Sequence, residues 1–343
     1  MRAVFMGTPE FAADILQAVL ESGCVDVVAV YTQPDRPSGR GKALKMPEVK
    51  RLAEQHGLAV RQPENFKNPD TVAELAAYEP DVLLVAAYGL ILPKEVLAIP
   101  TRLPINVHAS LLPKYRGAAP IQRAIMDGEM VTGVTIMHME EGLDTGPILL
   151  QQAVGIDIND TSGTLHKELA AAGAELLVRT LKRMKLGKVS SIPQDESKAT
   201  HAKKLTKADG LLNFSRPVHE IHALIRAVTP WPGAYFYIHR HNTGGGPLQV
   251  RCQPGKYPFE GLLPENTGDR RNDMLSGSIY GVCDDALLVR CADGFYAFTS
   301  LLPSGKKRMD GKAFYNGYLT GFSDITVATS LEDIPVLDEG DDF

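Results

Sequence analysis

Asn106 and His108 stand two residues apart in Pro104-Ile105-Asn106-Val107-His108. On a β-strand that spacing puts both side chains on one face, with Ile105 and Val107 on the other. An amide supplies fixed N–H donors and an imidazole moves a proton near neutral pH. Together they suit hydrogen-bond donation coupled to proton transfer. A third group of the right chemistry is Asp144, in the loop Glu140-Glu141-Gly142-Leu143-Asp144-Thr145-Gly146. A carboxylate beside His108 would orient the ring and favour its charged form. Taken one at a time, each feature also fits a structural role: a satisfied strand residue for Asn106 or His108, an Asx-turn for Asp144.

Other constellations fail on spacing. His219-Glu220-Ile221-His222 places its histidines three apart, whereas a helical zinc site needs them four apart. His239 and His241 share a strand face but lack a third ligand of the expected type. Met6-Gly7-Thr8-Pro9 ends a strand without the three glycines of a dinucleotide loop. Cys24, Cys252, Cys283 and Cys291 form no C-x-x-C pair, so zinc-ribbon and thioredoxin chemistries are excluded. No metal is expected.

The elements that must position these residues can be read from periodicity. Residues 2–6 form a short apolar run. Phe11, Ile15, Leu16, Val19 and Leu20 follow with helical spacing, and 25–31 is a second, β-branched run. Strand, helix, strand in this length is a βαβ unit with parallel pairing. Residues 58–60, 81–86 and 103–108 continue the alternation, and two strands at 134–139 and 147–154 flank the Asp144 loop. A long helix follows at 163–186. The expected fold class is α/β: an open, doubly wound, mostly parallel sheet over residues 1–187. In such sheets ligands bind at the carboxyl ends of strands, which is where His108 falls. Residues 188–209 lose periodicity and read as a linker. From 210 to 325 a helix at 216–228 and short strands at 234–239, 248–252, 278–283, 286–291 and 295–302 predict a small, OB-like β-barrel.

The chain has 343 residues and a net charge of −5, so no global pull toward polyanions. The charge is unevenly spread. Arg36, Arg40, Lys42, Lys45 and Lys50 crowd one stretch against Glu48 alone, and residues 34–47 predict a mobile loop, long for an α/β connection. The end of the chain, 326–343, is acidic and reads as a disordered tail. The N-terminal apolar run is too short for a signal peptide, and no stretch approaches the ~18 apolar residues of a membrane span. A cytoplasmic protein is expected, and nothing demands more than a monomer.

Two longer segments carry a resemblance. Asn106-Val107-His108-Ala109-Ser110-Leu111-Leu112-Pro113-Lys114-Tyr115-Arg116-Gly117 resembles the signature of folate-dependent formyltransferases, and Gly142-Leu143-Asp144-Thr145-Gly146 resembles their second motif. Phe5-Met6-Gly7-Thr8-Pro9-Glu10-Phe11, Thr32-Gln33-Pro34-Asp35-Arg36-Pro37, Gly39-Arg40-Gly41-Lys42, Trp231-Pro232-Gly233-Ala234 and Asp310-Gly311-Lys312-Ala313-Phe314 favour the branch that acts on methionyl initiator tRNA. The likeness runs from residue 1 to about 322. The stretch 240–277 and the acidic tail depart from the pattern.

The resemblance implies transfer of a formyl group from 10-formyltetrahydrofolate to an amine, with Asn106, His108 and Asp144 as the catalytic residues. It implies a folate pocket from Tyr88, Gly89, Leu90, Ile91 and Leu92 with Ser110, Leu111, Leu112 and Pro113. It assigns the acceptor stem of the tRNA to the loop carrying Arg36, Arg40, Lys42 and Lys45; the charge of Lys198, Lys203, Lys204 and Lys207 in the linker is expected to add phosphate contacts. Two other readings stay open here: a formyltransferase for a small amine, which would need neither the basic loop nor the barrel, and a non-catalytic RNA-binding protein.

Overall fold

The computed structural model describes residues 1–38, 43–240, 246–258, 274–321 and 325–327. Arg40, Lys42, His241 and residues 328–343 of the expected tail lie outside these residues; 326 and 327, expected in the disordered tail, instead pair in a strand with residues 238 and 239. The chain divides into two compact units: residues 1–121, 130–156 and 164–204 form the first, and 122–129, 157–163 and 205–343 the second.

The first unit is built on a seven-stranded sheet. Its strands are β1 (Arg2–Gly7), β2 (Asp26–Tyr31), β5 (Val60–Arg61), β6 (Val82–Ala86), β7 (Leu103–His108), β9 (Val131–His138) and β10 (Ile148–Gly155). The spatial order is β10-β9-β7-β6-β1-β2-β5. β5, β2, β1, β6 and β7 run parallel, and β9 and β10 are added antiparallel at one edge. β6 is Val-Leu-Leu-Val-Ala with every residue buried, as a central strand covered on both faces requires. The chain turns back from β2 and β5 to β6 on the other side of β1. That reversal opens a crevice at the carboxyl ends of β1 and β6. The crevice floor is tight: a Cβ on Gly7 would sit 2.9 Å from the Ala86 carbonyl and 2.5 Å from Ala12 Cβ.

Helices cover the sheet. α1 (Glu10–Ser22) buries Phe11, Ala12, Ile15, Leu16 and Val19 at helical spacing and ends at Gly23, whose φ of 56° suits a left-handed cap. α2 (Glu48–Gln55), α3 (Pro69–Ala76) and α4 (Lys94–Leu97) are short; most of α5 (Pro120–Met126) belongs to the second unit. α6 (Ser162–Lys185) is 24 residues long. It lays Leu165, Leu169, Leu176, Leu177 and Leu181 into the core. At Gly173 it comes so close to the sheet that an added Cβ would lie 3.0 Å from Val107 and 3.4 Å from Val134. Val107 therefore faces α6, and the alternation of β7 sends Asn106 and His108 to the other face.

Two details differ from the expectations. The segment 34–47 is not a plain loop: β3 (Arg36–Ser38) and β4 (Ala43–Lys45) pair as an antiparallel ribbon, with Arg36 opposite Lys45. The segment expected as a linker is packed onto the first unit as far as Lys204. There β11 (His201–Ala202) pairs with β8 (Arg116–Gly117), and Ile192 bridges Ile148.

The second unit holds α7 (Val218–Ala227) and two antiparallel sheets. One, ordered β17-β13-β12-β18, comprises β12 (Ala234–Arg240), β13 (Leu248–Cys252), β17 (Leu301–Pro303) and β18 (Ile325–Val327). The other is β14 (Ile279–Cys283), β15 (Ala286–Arg290) and β16 (Phe295–Phe298). A shared core of Phe214, Phe236, Tyr296, Phe298 and Phe314 joins them. Phe314 comes from α8 (Gly311–Tyr318), which Asp310 caps by accepting from Ala313 N at 2.7 Å. His222 is a core residue: Tyr296 Oη and the Ile158 carbonyl each lie 3.0 Å from its ring nitrogens.

Candidate active site

The carboxyl end of β7 and the loop between β9 and β10 bring Asn106, His108 and Asp144 together. Asn106 Nδ2 lies 3.5 Å from Asp144 Oδ1, and His108 Nδ1 lies 3.6 Å from Asp144 Oδ2. Asn106 and His108 are buried, and the Asp144 side chain keeps 14% of its surface exposed. The His108 tautomer follows from its partner. Nε2 is 2.9 Å from the Tyr115 carbonyl, which only accepts, so Nε2 carries a hydrogen. In the neutral ring Nδ1 then holds a lone pair on the side of the carboxylate. A proton arriving there would be shared with Asp144. Asn106 has two N–H donors, and Asp144 takes up at most one.

Asp144 has a φ of 53°, in the left-handed region. A non-glycine residue there costs on the order of 1–3 kcal/mol. Three hydrogen bonds hold it. Gly117 N donates to Oδ2 at 2.8 Å, and Gln194 Nε2 donates to the carbonyls of Asp144 and Gly146 at 2.7 and 2.8 Å. At about 1 kcal/mol net each, they are sufficient to offset the strain. Gly146 has no alternative: a Cβ there would sit 1.9 Å from the His138 carbonyl.

The turn after β7 is braced from the same direction. Thr200 Oγ1 accepts from Tyr115 N at 2.8 Å, and the Thr200 carbonyl accepts from Arg116 N at 2.8 Å. Arg116 is buried, forks onto both Glu196 oxygens at 2.8 and 2.7 Å, and also donates to Gln194 Oε1 at 3.1 and 2.8 Å. The hydrogen bonds to Glu196, then the charges of Glu196 and Asp144, hold its pKa above the usual value. Thr135 links strand to turn: its hydroxyl donates to Ser110 O at 2.6 Å and accepts from Leu112 N at 3.1 Å. None of Gln194, Glu196, Thr200 or Thr135 stood out in the sequence. A polar Gln-Asp-Glu run in an aperiodic stretch looks like any solvated connection.

The residues expected to line a folate pocket fall into two kinds. Ser110, Tyr88, Leu92 and Leu112 are buried. Ser110 Oγ is committed to the Lys114 carbonyl at 2.6 Å, and the Tyr88 carbonyl accepts from Thr8 Oγ1 at 2.8 Å and Gln33 Nε2 at 3.0 Å. Gly89 and Ile91 are exposed, while Leu90, Leu111 and Pro113 are half-buried. Gly89 is favoured by its φ of 79°, in the left-handed region. Among the basic residues, Arg36, Lys45, Lys203, Lys204 and Lys207 are exposed. Lys198 pairs with Asp195 at 3.1 Å, and Lys50 is drawn into a 2.8 Å bridge with Asp35 at the foot of the ribbon. A groove of 300 Å³ lined by Thr8, Gln33, Arg36, Lys45 and Glu48 runs beside that foot.

Residues 1–181 match the formyl transferase family model, and residues 204–319 match the model of the formyl transferase C-terminal domain. The methionyl-tRNA formyltransferase of Nitratidesulfovibrio vulgaris is 49% identical over 320 residues, 93% of this chain and 94% of that one. The chain belongs to the methionyl-tRNA formyltransferase family. The family member of Desulfotalea psychrophila is 41% identical over 96% of each chain. Fold likeness extends further than sequence. A sugar 3N-formyl transferase crystallised with dTDP and 5-N-formyl-THF superposes with a TM-score of 0.60 at 17% identity, over 90% of this chain and 99% of that one. The N-formyltransferase of Helicobacter canadensis gives 0.58 at 18%, over 86% of this chain and 97% of that one. The family thus fixes a formyl transferase. Among the described residues, no helix is long and apolar enough to cross a membrane.

Proposed function

We propose that this chain transfers the formyl group of 10-formyltetrahydrofolate to the α-amine of methionine esterified to initiator tRNA. The observation that carries the reading is the convergence of an amide, an imidazole and a carboxylate within 3.6 Å at the carboxyl edge of the sheet. The amine lone pair attacks the formyl carbon, and the carbonyl π electrons move onto oxygen. Asn106 donates to that oxyanion, which is worth roughly 3 kcal/mol in the transition state. The attacking nitrogen passes a proton to His108 Nδ1, where Asp144 stabilises the imidazolium; such proton transfer contributes about 10²–10⁴-fold. The oxyanion electrons then re-form the carbonyl, the bond from the formyl carbon to the folate nitrogen breaks, that nitrogen takes the proton from His108, and formylmethionyl-tRNA and tetrahydrofolate leave. Folate lies against the segments 88–92 and 110–113, largely through backbone groups, because Tyr88 and Ser110 are turned inward. Arg36 and Lys45 on the ribbon, with Arg40 and Lys42, meet phosphates of the acceptor stem, and Lys203, Lys204 and Lys207 add to that field. The three reacting groups come from one polypeptide, so a monomer suffices, and the substrates point to the cytoplasm.

A single-turnover assay with charged initiator tRNA and formyl-labelled folate tests the reading. Label is expected on the esterified methionine; label passing only to water or to a small amine overturns it. In the same assay Asn106→Ala is expected to lower turnover about 10²–10³-fold with little change in tRNA affinity. Unchanged turnover removes Asn106 from the mechanism.

A further inference from the structure

We propose that Gln194 is a positioning residue for the transfer reaction, fixing the Asp144 loop so that the carboxylate faces Asn106 and His108. The inference rests on the reading just given for that site. Gln194 lies 50 residues after Asp144 in the chain, beyond β10 and α6, and bonds to the backbone of the Asp144 loop. Its carboxamide is nevertheless fully engaged. Nε2 donates to the carbonyls of Asp144 and Gly146 at 2.7 and 2.8 Å, and Oε1 accepts from Arg116 at 3.1 and 2.8 Å. With two pure acceptors on one side and a guanidinium on the other, only one orientation of the amide satisfies every partner. Arg116 is in turn pinned by the fork to Glu196, and the backbone of 192 by a pair of 2.8 Å bonds to Ile148. The amide therefore has a fixed anchor on each side.

The loop it holds is one that cannot hold itself. Asp144 sits at positive φ, and its carboxylate is secured by Gly117 N at 2.8 Å and, more loosely, by Asn106 Nδ2 at 3.5 Å. The distances to Asn106 and His108, 3.5 and 3.6 Å, are at the outer limit of direct contact. A small rotation of the loop breaks them. Both carbonyls that Gln194 grips belong to this turn, so its grip sets where the carboxylate points. No other residue type of this length supplies two N–H donors on one side and an acceptor on the other.

Gln194→Glu and Gln194→Ala test this. The glutamate keeps the shape and the Arg116 contact but turns oxygen toward two carbonyls. The alanine removes both contacts. Both are expected to lower kcat about 10- to 100-fold, with KM for folate and tRNA within about threefold and with the melting temperature lowered by roughly a few degrees from the lost hydrogen bonds. In an Asp144→Asn background, Gln194→Ala should cost less than about twofold more, because the two residues act as one unit. Wild-type kcat in Gln194→Glu, or losses that multiply in the double variant, overturns the proposal. Should Gln194→Ala fail to fold, the glutamate variant and its combination with Asp144→Asn give the same decision. If the wild type forms no formylmethionyl-tRNA, or Asn106→Ala is fully active, the functional reading fails instead. An inactive Asn106→Ala beside active Gln194 variants sinks the positioning role alone.

Discussion

At the scale of single residues, histidine shows how environment assigns a role. His108 has one ring nitrogen occupied by the Tyr115 carbonyl and the other facing a carboxylate across 3.6 Å. It is oriented, yet able to take up a proton. His222 has both nitrogens in structural bonds and stacks on Tyr257 at 4.7 Å. Burial pushes its pKa down to about 4, opposed by the bond to the Ile158 carbonyl and helped by Arg226. The folded ring stays neutral to about pH 4, while the unfolded ring takes a proton near 6.5. Between these values the unfolded state binds more protons, so stability present above pH 6.5 is lost as the pH falls, on the order of 2–3 kcal/mol by pH 4. His222→Gln, which does not titrate, is expected to flatten the melting temperature between pH 6.5 and 4.5 relative to wild type. Equal slopes would rule out His222 as a source of acid sensitivity.

At the scale of elements, the ribbon of β3 and β4 pairs Arg36 with Lys45, two like charges directly opposite. Such a pair weakens a ribbon by up to about 1 kcal/mol and has no internal benefit. Glu48, 3.6 Å from Lys45, relieves it in part, and the bridge from Lys50 to Asp35 anchors the base. A polyanion would turn the repulsion into binding. Arg36→Ala is therefore expected to leave the fold as stable or slightly more so, to weaken binding of initiator tRNA, and to lower the slope of log K against log salt by about 1. Tight binding with an unchanged salt slope would show that the ribbon meets no phosphate.

For the whole molecule, the order of the chain and the order of the units differ. The second unit recruits residues 122–129 and 157–163 from within the span of the first. These short pieces matter. The carbonyls of Asp157 and Asp160 accept from Arg226 at 3.2 and 2.9 Å, Ser162 Oγ donates to the Thr229 carbonyl at 2.7 Å, and Arg123 pairs with Asp209 at 2.9 Å. A fragment of residues 205–343 loses these hydrogen bonds, so it should be less stable than the same unit in the full chain by on the order of 1–3 kcal/mol. Trp231, the single tryptophan, reports on this unit, and its fluorescence in a urea titration measures the difference. Coincident midpoints would mean that the recruited segments contribute nothing.

By itself the sequence determined what is local or periodic. Strand and helix repeats laid out the parallel sheet, α6 and most strands of the second unit, because a buried face imposes its period on the residues that build it. The two-residue spacing of Asn106 and His108 placed both on one face of β7, and the Gly-bounded loop between two strands marked Asp144 as the third candidate, to which the resemblance then gave a role. Tertiary structure alone decided how close Asp144 comes to them and what holds it there. The stretch 188–204 has no apolar period, since it contributes hydrogen bonds rather than a buried face. Its Gln194, Glu196 and Thr200 acquire meaning only when folding carries them back across some 50 to 85 residues of chain to Asp144, Arg116 and Tyr115. The same holds for the ribbon: a segment rich in Pro, Gly and Lys reads as a loop until its two arms are seen to pair.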